Sequence, residues 1–190
     1  RVCAMSELIE YYKGIFTTLS SCASRQLEEV TFRRATISVP ELMATAGKYF
    51  RKVYKGNKAH IDFKIQPLEG RITGDWNQLR FLLENLIDEA CSVTLDGAVC
   101  LSAREDGEFI RFLFTDMRRE KTREELNQLF YPDLSRMTAG EKGELYGTEY
   151  LVCKQIIRDH DEFAGHRGCR INAEPGKEGG FTIYFTLPKK

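Results

Sequence analysis

The sequence predicts an α+β fold, a two-layer α/β sandwich in which one mixed sheet carries helices on one face, preceded by a long N-terminal helix. Three observations predict it. The periodicities run α-α-β-α-β-β-α-α-β-β with no internal repeat, which favours a sheet with segregated helices. The stretch "FLLENLIDEA", residues 81–90, places Leu82, Leu83, Leu86, Ile87 and Ala90 on one helical face. The alternating runs "AVCLSARE" and "EFIRFLFTD" are joined by Asp106-Gly107, a strong hairpin signal.

The elements follow in order. Residues 6–30 carry Leu8, Ile15, Leu19, Cys22 and Leu27 at mostly three- and four-residue steps, with Ile9, Tyr12 and Phe16 widening the stripe. That is one amphipathic helix, whose apolar face pairs either with a second helix or with its own domain. Pro40 suits a first helical turn and Gly56-Asn57 a stop, so residues 39–54 form a second helix. "HIDFKIQ" alternates as a strand, and "GRITGDW" is a turn in which Asp75 caps the helix that follows. "REELNQLFYP" is a short helix ended by Pro132, and "DLSRMTAGEKGELYG" is a mobile loop. "TEYLVCKQIIRDH" is helical, with Leu151, Ile156 and Ile157 buried, and "CRINAEPGKEGGFTIYFTLP" closes the chain as two strands around a glycine-rich turn.

Composition narrows the function. The chain has 190 residues, 42% hydrophobic and 29% charged, with 28 basic residues balancing 28 acidic ones. Neutral net charge gives no reason to propose nucleic acid or an anionic membrane as partner. No run approaches the ~18 apolar residues of a membrane span. The six cysteines form no CxxC pair and no Cys/His cluster, which argues against zinc and disulfides and for a reducing, cytoplasmic location. The chain begins at Arg1 rather than Met, so a fragment is expected, of a longer parent with room for a membrane anchor or sensor outside these residues.

The residues that carry chemistry lie at strand and helix ends. Asn85, Glu89 and Ser92 share one flank of their helix, while Glu84 and Asp88 point away as solvated surface. Asp116 ends a strand and is followed by "MRREKT"; "LFYP" at residues 129–132 comes after it, and "LYGTEY" opens a later helix.

This order of elements and motifs resembles the catalytic, ATP-binding domain of sensor histidine kinases, in the superfamily that also holds gyrase, the Hsp90 chaperones and MutL. The resemblance covers residues 31–190 and implies a Bergerat-type ATP-binding fold. Residues 1–30 resemble the second helix of the kinase dimerisation hairpin, which implies a homodimer. The family's N-box has Asn at the positions matched by Asn85 and Glu89, the second of which holds Mg²⁺. It has Lys or a similar residue near Ser92. A Glu at 89 retains an oxygen ligand for Mg²⁺ but adds negative charge beside a polyphosphate. Structural surface and a retained metal or phosphate role both stay open.

The family's first glycine box, D-x-G-x-G, reads here as Asp116 with Arg118 and Glu120 in the glycine positions. The resemblance implies that Asp116 accepts the adenine amino group, and that the two large side chains fill the ligand space or force the turn open. "LFYP" resembles the phenylalanine box and fixes the register. Of the second glycine box, G-x-G-L-G-L, Gly147 alone survives, and Glu149 replaces another glycine at a helix start where phosphate would bind. His160 matches a family His and is expected at a helix end without catalytic work. No His occurs in residues 1–30, so any phosphoacceptor lies outside this chain.

Beside a domain that keeps Asp116, without needing the glycines, to bind a nucleotide or another ligand and transfers no phosphate, two functions follow from the resemblance. One is a histidine-kinase-like domain with degenerate boxes, weak or inactive in ATP binding, that serves as a dimerisation or relay module. The other is a working ATP-dependent protein-histidine kinase, with ATP and Mg²⁺ as cofactors, Asn85, Glu89, Asp116 and Gly147 at the nucleotide and Glu89 on the metal. Either implies a response regulator as possible partner. On the first reading Asp116→Asn is expected to be silent.

Overall fold

The computed structural model describes residues 32–130 and 148–190. Its elements are β1 (Ala35–Ser38), α1 (Val39–Val53), β2 (Ile61–Gln66), β3 (Arg71–Gly74), α2 (Trp76–Cys91), β4 (Gly97–Asp106), β5 (Phe109–Asp116), α3 (Arg123–Gln128), α4 (Thr148–Phe163), β6 (Ile171–Pro175) and β7 (Phe181–Pro188). The helix expected over residues 6–30 and the loop over residues 133–147 lie outside the described residues, as do Pro132 and Gly147.

Five strands form one mixed sheet in the order β2-β4-β5-β7-β6. The β2–β4 pair is parallel and the others are antiparallel. The Asp106-Gly107 turn joins β4 to β5 as expected, with Gly107 at φ +62°. Helices cover one face of this sheet. Facing residues in antiparallel neighbours share a side, so the register reads out the core directly. Leu101, Phe114 and Ile183 lie in one row and Phe112 with Phe185 in the next, the last two rings stacked at 5.0 Å. The predicted face of α2 meets this surface: Leu82, Leu83, Leu86, Ile87 and Ala90 are all buried. Each of the larger four contributes about 1.5–3 kcal/mol by leaving water.

Two expectations are corrected here. "GRITGDW" is not only a turn, because its first half is β3, paired antiparallel with β1. β1 itself, in "ATIS", precedes the helix that starts at Val39. Lys190 N–H, donating to Arg71 O at 2.9 Å, ties this two-stranded ribbon to the end of the chain. In α4 it is Tyr150 and Cys153 that join Ile156 and Ile157 in the core, while Leu151 is half-buried.

The caps follow the sequence. Ser38 accepts from Glu41 N–H at the start of α1, and Thr122 with Glu125 forms a reciprocal capping box on α3. Asp75 caps α2 by accepting from Gln78 N–H at 3.1 Å, and its second oxygen accepts from Arg33 N–H at 2.8 Å.

Candidate functional site

The strand β5 alternates Ile110, Phe112, Phe114 and Asp116 onto the helix-covered face, all four buried. Asp116 therefore ends the core row, opposite Val99 of β4 on one side and Phe181 of β7 on the other. Gly180 adds to the enclosure: it sits at φ +69°, and a Cβ there would overlap the Asp116 carbonyl oxygen. The Asp116 side chain is 1% exposed. A carboxylate in such a place needs charge and hydrogen bonds or it neutralises.

The next residues supply both. Arg118 donates to Asp116 Oδ1 from its backbone N–H at 3.0 Å and from Nε at 2.9 Å, and to Oδ2 from Nη2 at 2.8 Å. Arg119 Nε donates to the same Oδ2 at 2.9 Å. Burial works to raise the Asp116 carboxyl, but the Arg118 hydrogen bonds and the two guanidinium charges outweigh it and hold it below the usual carboxylate range.

Arg118 is fixed at its far end as well. Nη1 donates to Leu95 O at 2.9 Å and Nη2 to Ala90 O at 2.6 Å. Its stem lies across Gly97, where an added Cβ would come within 2.8 Å of Cγ at a backbone φ of +134°. The side chain thus fills a slot between the C-terminal end of α2 and the β4 and β5 ends, and is itself 1% exposed. The Arg118 side chain therefore lies inward, against Asp116 and across Gly97, rather than out in solvent.

Arg119 bridges to α2. Its Nη1 and Nη2 donate to the two oxygens of Glu89 at 3.1 and 2.9 Å, a bidentate pair, and its Cζ lies 5.3 Å from the centre of the Phe181 ring. Burial opposes the Arg119 charge, yet the Glu89 hydrogen bonds and the Asp116 charge push its pKa above the ordinary value. Tyr150, at the start of α4, packs edge-on against Phe130. Burial and the neighbouring Glu89 charge push its phenol well above the ordinary value. Glu120, in the second glycine position, accepts from Gly180 N–H at 2.9 Å and so pins the β6–β7 turn.

The remaining site candidates are placed as follows. Asn85 turns back on its own helix, donating from Nδ2 to Phe81 O at 2.8 Å. Ser92 ends α2, its hydroxyl donating to Glu89 O at 2.6 Å. The structure brings Asp116 and Glu89 together through Arg119 and leaves Asn85 outside that network. Gly147 is beyond the described residues, and Glu149 is placed only as backbone in the first turn of α4.

Asp88 corrects the sequence reading. It is not merely solvated: Tyr49 OH donates to it at 2.8 Å and Tyr54 OH at 2.6 Å, joining α1 to α2. Burial and then the Asp88 hydrogen bond push Tyr49 up to about 12 and Tyr54 higher still. His160 lies in the last turn of α4, as expected, but is fully buried. Its Nε2 accepts from Asp75 N–H at 3.0 Å, which leaves Nδ1 protonated to donate to Ile156 O at 2.7 Å.

Arg119 was invisible as a site residue in the glycine-box comparison, because it stands between the two glycine positions. The two-residue alternation of β5 marks Asp116 as core-facing, and a core-facing carboxylate next to two arginines predicts their pairing.

These residues fit a bound nucleotide and metal poorly as they stand. Arg118 and Arg119 together hold both Asp116 oxygens, and Arg119 holds both Glu89 oxygens. Among the described residues no group of three or more His, Cys, Asp or Glu side chains could hold a metal ion. No helix among them is long and apolar enough to cross a membrane.

The fold, with an acidic strand end facing the last turn of a helix, is that of the GHKL ATPases. The family described as histidine kinase-, DNA gyrase B-, and HSP90-like ATPase matches residues 74–190, more than half of the sequence, and the chain belongs to it. The adaptive-response sensory kinase SasA of Thermosynechococcus vestitus is 25% identical over 177 residues, covering 92% of this chain and 44% of its own length. The chain thus spans less than half of that curated relative. The catalytic domain of histidine kinase ThkA superposes with a TM-score of 0.62 at 18% identity, over 83% of this chain and 96% of that one. Histidine kinase AdeS of Acinetobacter baumannii gives 0.61 at 16% identity, over 98% of this chain and 79% of its own. ThkA in complex with the response regulator TrrA gives 0.65 at 17%, over 98% of this chain and 52% of that one. At these identities the structures speak for the fold.

Proposed function

We propose that the chain is the histidine-kinase-type domain of a two-component signalling protein whose nucleotide site is weak or inactive, so that it serves as a dimerisation or signal-relay module. The observation that carries this is the pairing of Asp116. The carboxylate that the family resemblance assigns to the adenine amino group is buried, and it is charge-paired and hydrogen-bonded with Arg118 and Arg119. A ligand must break those bonds before it makes its own, and a desolvated charge pair gives up its partner at a cost of about 3–5 kcal/mol. That is roughly a hundred- to several-thousandfold in affinity.

Membership of an ATPase family, and the similarity to sensory kinases, support a second reading as a working ATP-dependent protein-histidine kinase. It requires the arginine pair to swing away from Asp116 and Glu89. On either reading residues 1–30 contribute a dimerisation helix, and the ThkA–TrrA likeness supports a response regulator as partner. The unbridged cysteines Cys91, Cys100 and Cys169 suit a reducing, cytoplasmic setting. Calorimetric titration with Mg²⁺-ATP separates the readings. The first predicts no binding heat up to millimolar nucleotide; a micromolar Kd contradicts it.

A further inference from the structure

The balanced net charge conceals a segregation. Residues 48–58 hold five basic side chains, Lys48, Arg51, Lys52, Lys55 and Lys58, and no acidic one, and all five are exposed. They run along the outer side of α1, away from its buried face, and on into the α1–β2 loop. Among the described residues Lys52, Lys55 and Lys58 form no ion pair. Hydrogen bonds set this loop beside two other segments. His60 N–H donates to Asp96 Oδ1 at 2.7 Å and Gly97 N–H to His60 O at 3.1 Å, which joins it to the α2–β4 loop. Met117 N–H donates to Ala98 O at 3.0 Å, which brings the residue after β5 alongside. These three segments build one end of the domain. Five large hydrophobic side chains are exposed among the described residues, and three of them sit here: Val53 at 49%, Leu95 at 43% and Met117 at 39%. The acids on and beside these segments are engaged, Asp96 with His60, Glu120 with Gly180, and Glu89 and Asp116 with the arginines.

We propose that this end of the domain is a contact surface for an anionic lipid bilayer, with Lys52, Lys55 and Lys58 at the headgroups and Val53, Leu95 and Met117 in the outer acyl layer. Unpaired lysines beside exposed aliphatic side chains suit that medium, because the ammonium groups reach lipid phosphates while their stems and neighbours meet apolar chains. A protein partner matches less well: protein interfaces are depleted in lysine and enriched in aromatic residues, whereas the exposed apolar side chains here are Val, Leu and Met. Nucleic acid offers phosphates but no apolar layer. Contact with lipid needs no nucleotide, so this inference and the proposed function fail separately.

The test floats the full chain with vesicles of phosphatidylcholine, alone or with one-third phosphatidylglycerol. Binding is expected to the anionic vesicles only, and it should weaken as salt is raised. Each lysine close to an anionic surface contributes roughly fivefold, so Lys52→Glu/Lys55→Glu/Lys58→Glu should weaken binding by at least about a hundredfold. Arg71→Glu/Arg104→Glu/Lys190→Glu makes the same change of net charge at exposed positions towards the opposite end of the sheet, and should stay within about tenfold of the unaltered chain. Val53→Ser/Leu95→Ser/Met117→Ser should weaken binding by roughly tenfold or more. All these positions are exposed, so the variants are expected to fold, which circular dichroism verifies. Residues 1–30 are present in every variant, so the comparison isolates the patch. In Leu95→Trp the added indole emission should shift to the blue on the anionic vesicles, and an unshifted spectrum counts against the inference. No vesicle binding by the unaltered chain overturns it, as does a loss in the opposite-end variant equal to that in the lysine variant. Binding untouched by the three serines overturns the lipid assignment. Capture of the chain by polyglutamate but not by vesicles overturns it too, in favour of an acidic protein partner.

Discussion

Asp116→Asn tests the physical basis of the site most sharply. On an inactive reading of the sequence that change is silent, but the buried arginines alter the expectation. In the folded chain Asp116 accepts four hydrogen bonds, three from Arg118 and one from Arg119. An Asn keeps one oxygen and turns its amide N–H groups towards guanidinium N–H donors. It also removes the carboxylate to which the Arg118 side chain is bonded, leaving that guanidinium against Leu95 O and Ala90 O at 1% exposure. Breaking a buried pair by deleting one partner costs about 3–5 kcal/mol. For a chain of this size that lowers the melting temperature by roughly 6–20 °C. Urea unfolding at neutral pH, with the slope unchanged, gives the free energy directly. The sign with pH is fixed by the depressed Asp116 carboxyl: its contribution is present above the unfolded value of ~3.9 and is lost as pH falls through the lower folded value. The gap between the two proteins therefore narrows in acid. A loss below about 1 kcal/mol at neutral pH, the size of an exposed pair, would refute the buried network.

Further outcomes follow from the same geometry. Asp88→Ala removes the acceptor shared by Tyr49 and Tyr54 and should cost about 1.5–3 kcal/mol in urea unfolding, while Asp88→Ala/Tyr49→Phe should cost clearly less than the sum of the single changes. In the unaltered protein ultraviolet titration should find neither tyrosine ionised at pH 10, where a free phenol is about half ionised. His160 has its pKa lowered, first by burial, so the ring should remain neutral in NMR titration below the ~6.5 of a free imidazole. Because the unfolded chain binds that proton and the folded one does not, its contribution to stability is present above ~6.5 and declines as pH falls below it. Leu86→Ala, in the fully buried face of α2, should cost about 2–5 kcal/mol.

Much of the fold could be read from the sequence because long elements repeat their pattern. The buried face of α2, the Asp106-Gly107 hairpin and the Asp75 cap each rest on several residues that agree. β1 and β3 were missed for the converse reason. Four residues carry too little alternation, Ser38 belongs as much to the cap of α1, and Gly70 and Gly74 punctuate "RITG" like a turn. The pairing of those two strands with each other is what makes them strands. In the site, the glycine-box comparison located Asp116 and the intrusion of Arg118 and Glu120, yet it gave no partners. The Arg118 side chain reaches back two residues and also across to α2, a contact with no periodic signature. Asp88 reads as solvated surface because its tyrosines lie 34 and 39 residues away, at the C-terminal end of α1. The alternation of Ile110, Phe112, Phe114 and Asp116 was the one legible clue that the carboxylate needed a buried cation.

The central claim is that Arg118 and Arg119 hold the place a nucleotide would take. Nitrogen-15 NMR of the arginine Nε–H groups measures this directly, with millimolar Mg²⁺-ATP added to the unaltered chain. Both Nε–H groups donate to Asp116 at 2.9 Å, so two slowly exchanging resonances are predicted, unmoved by the nucleotide. Their saturable shift or loss on adding Mg²⁺-ATP would mean that the arginines yield to the ligand, and would contradict the account.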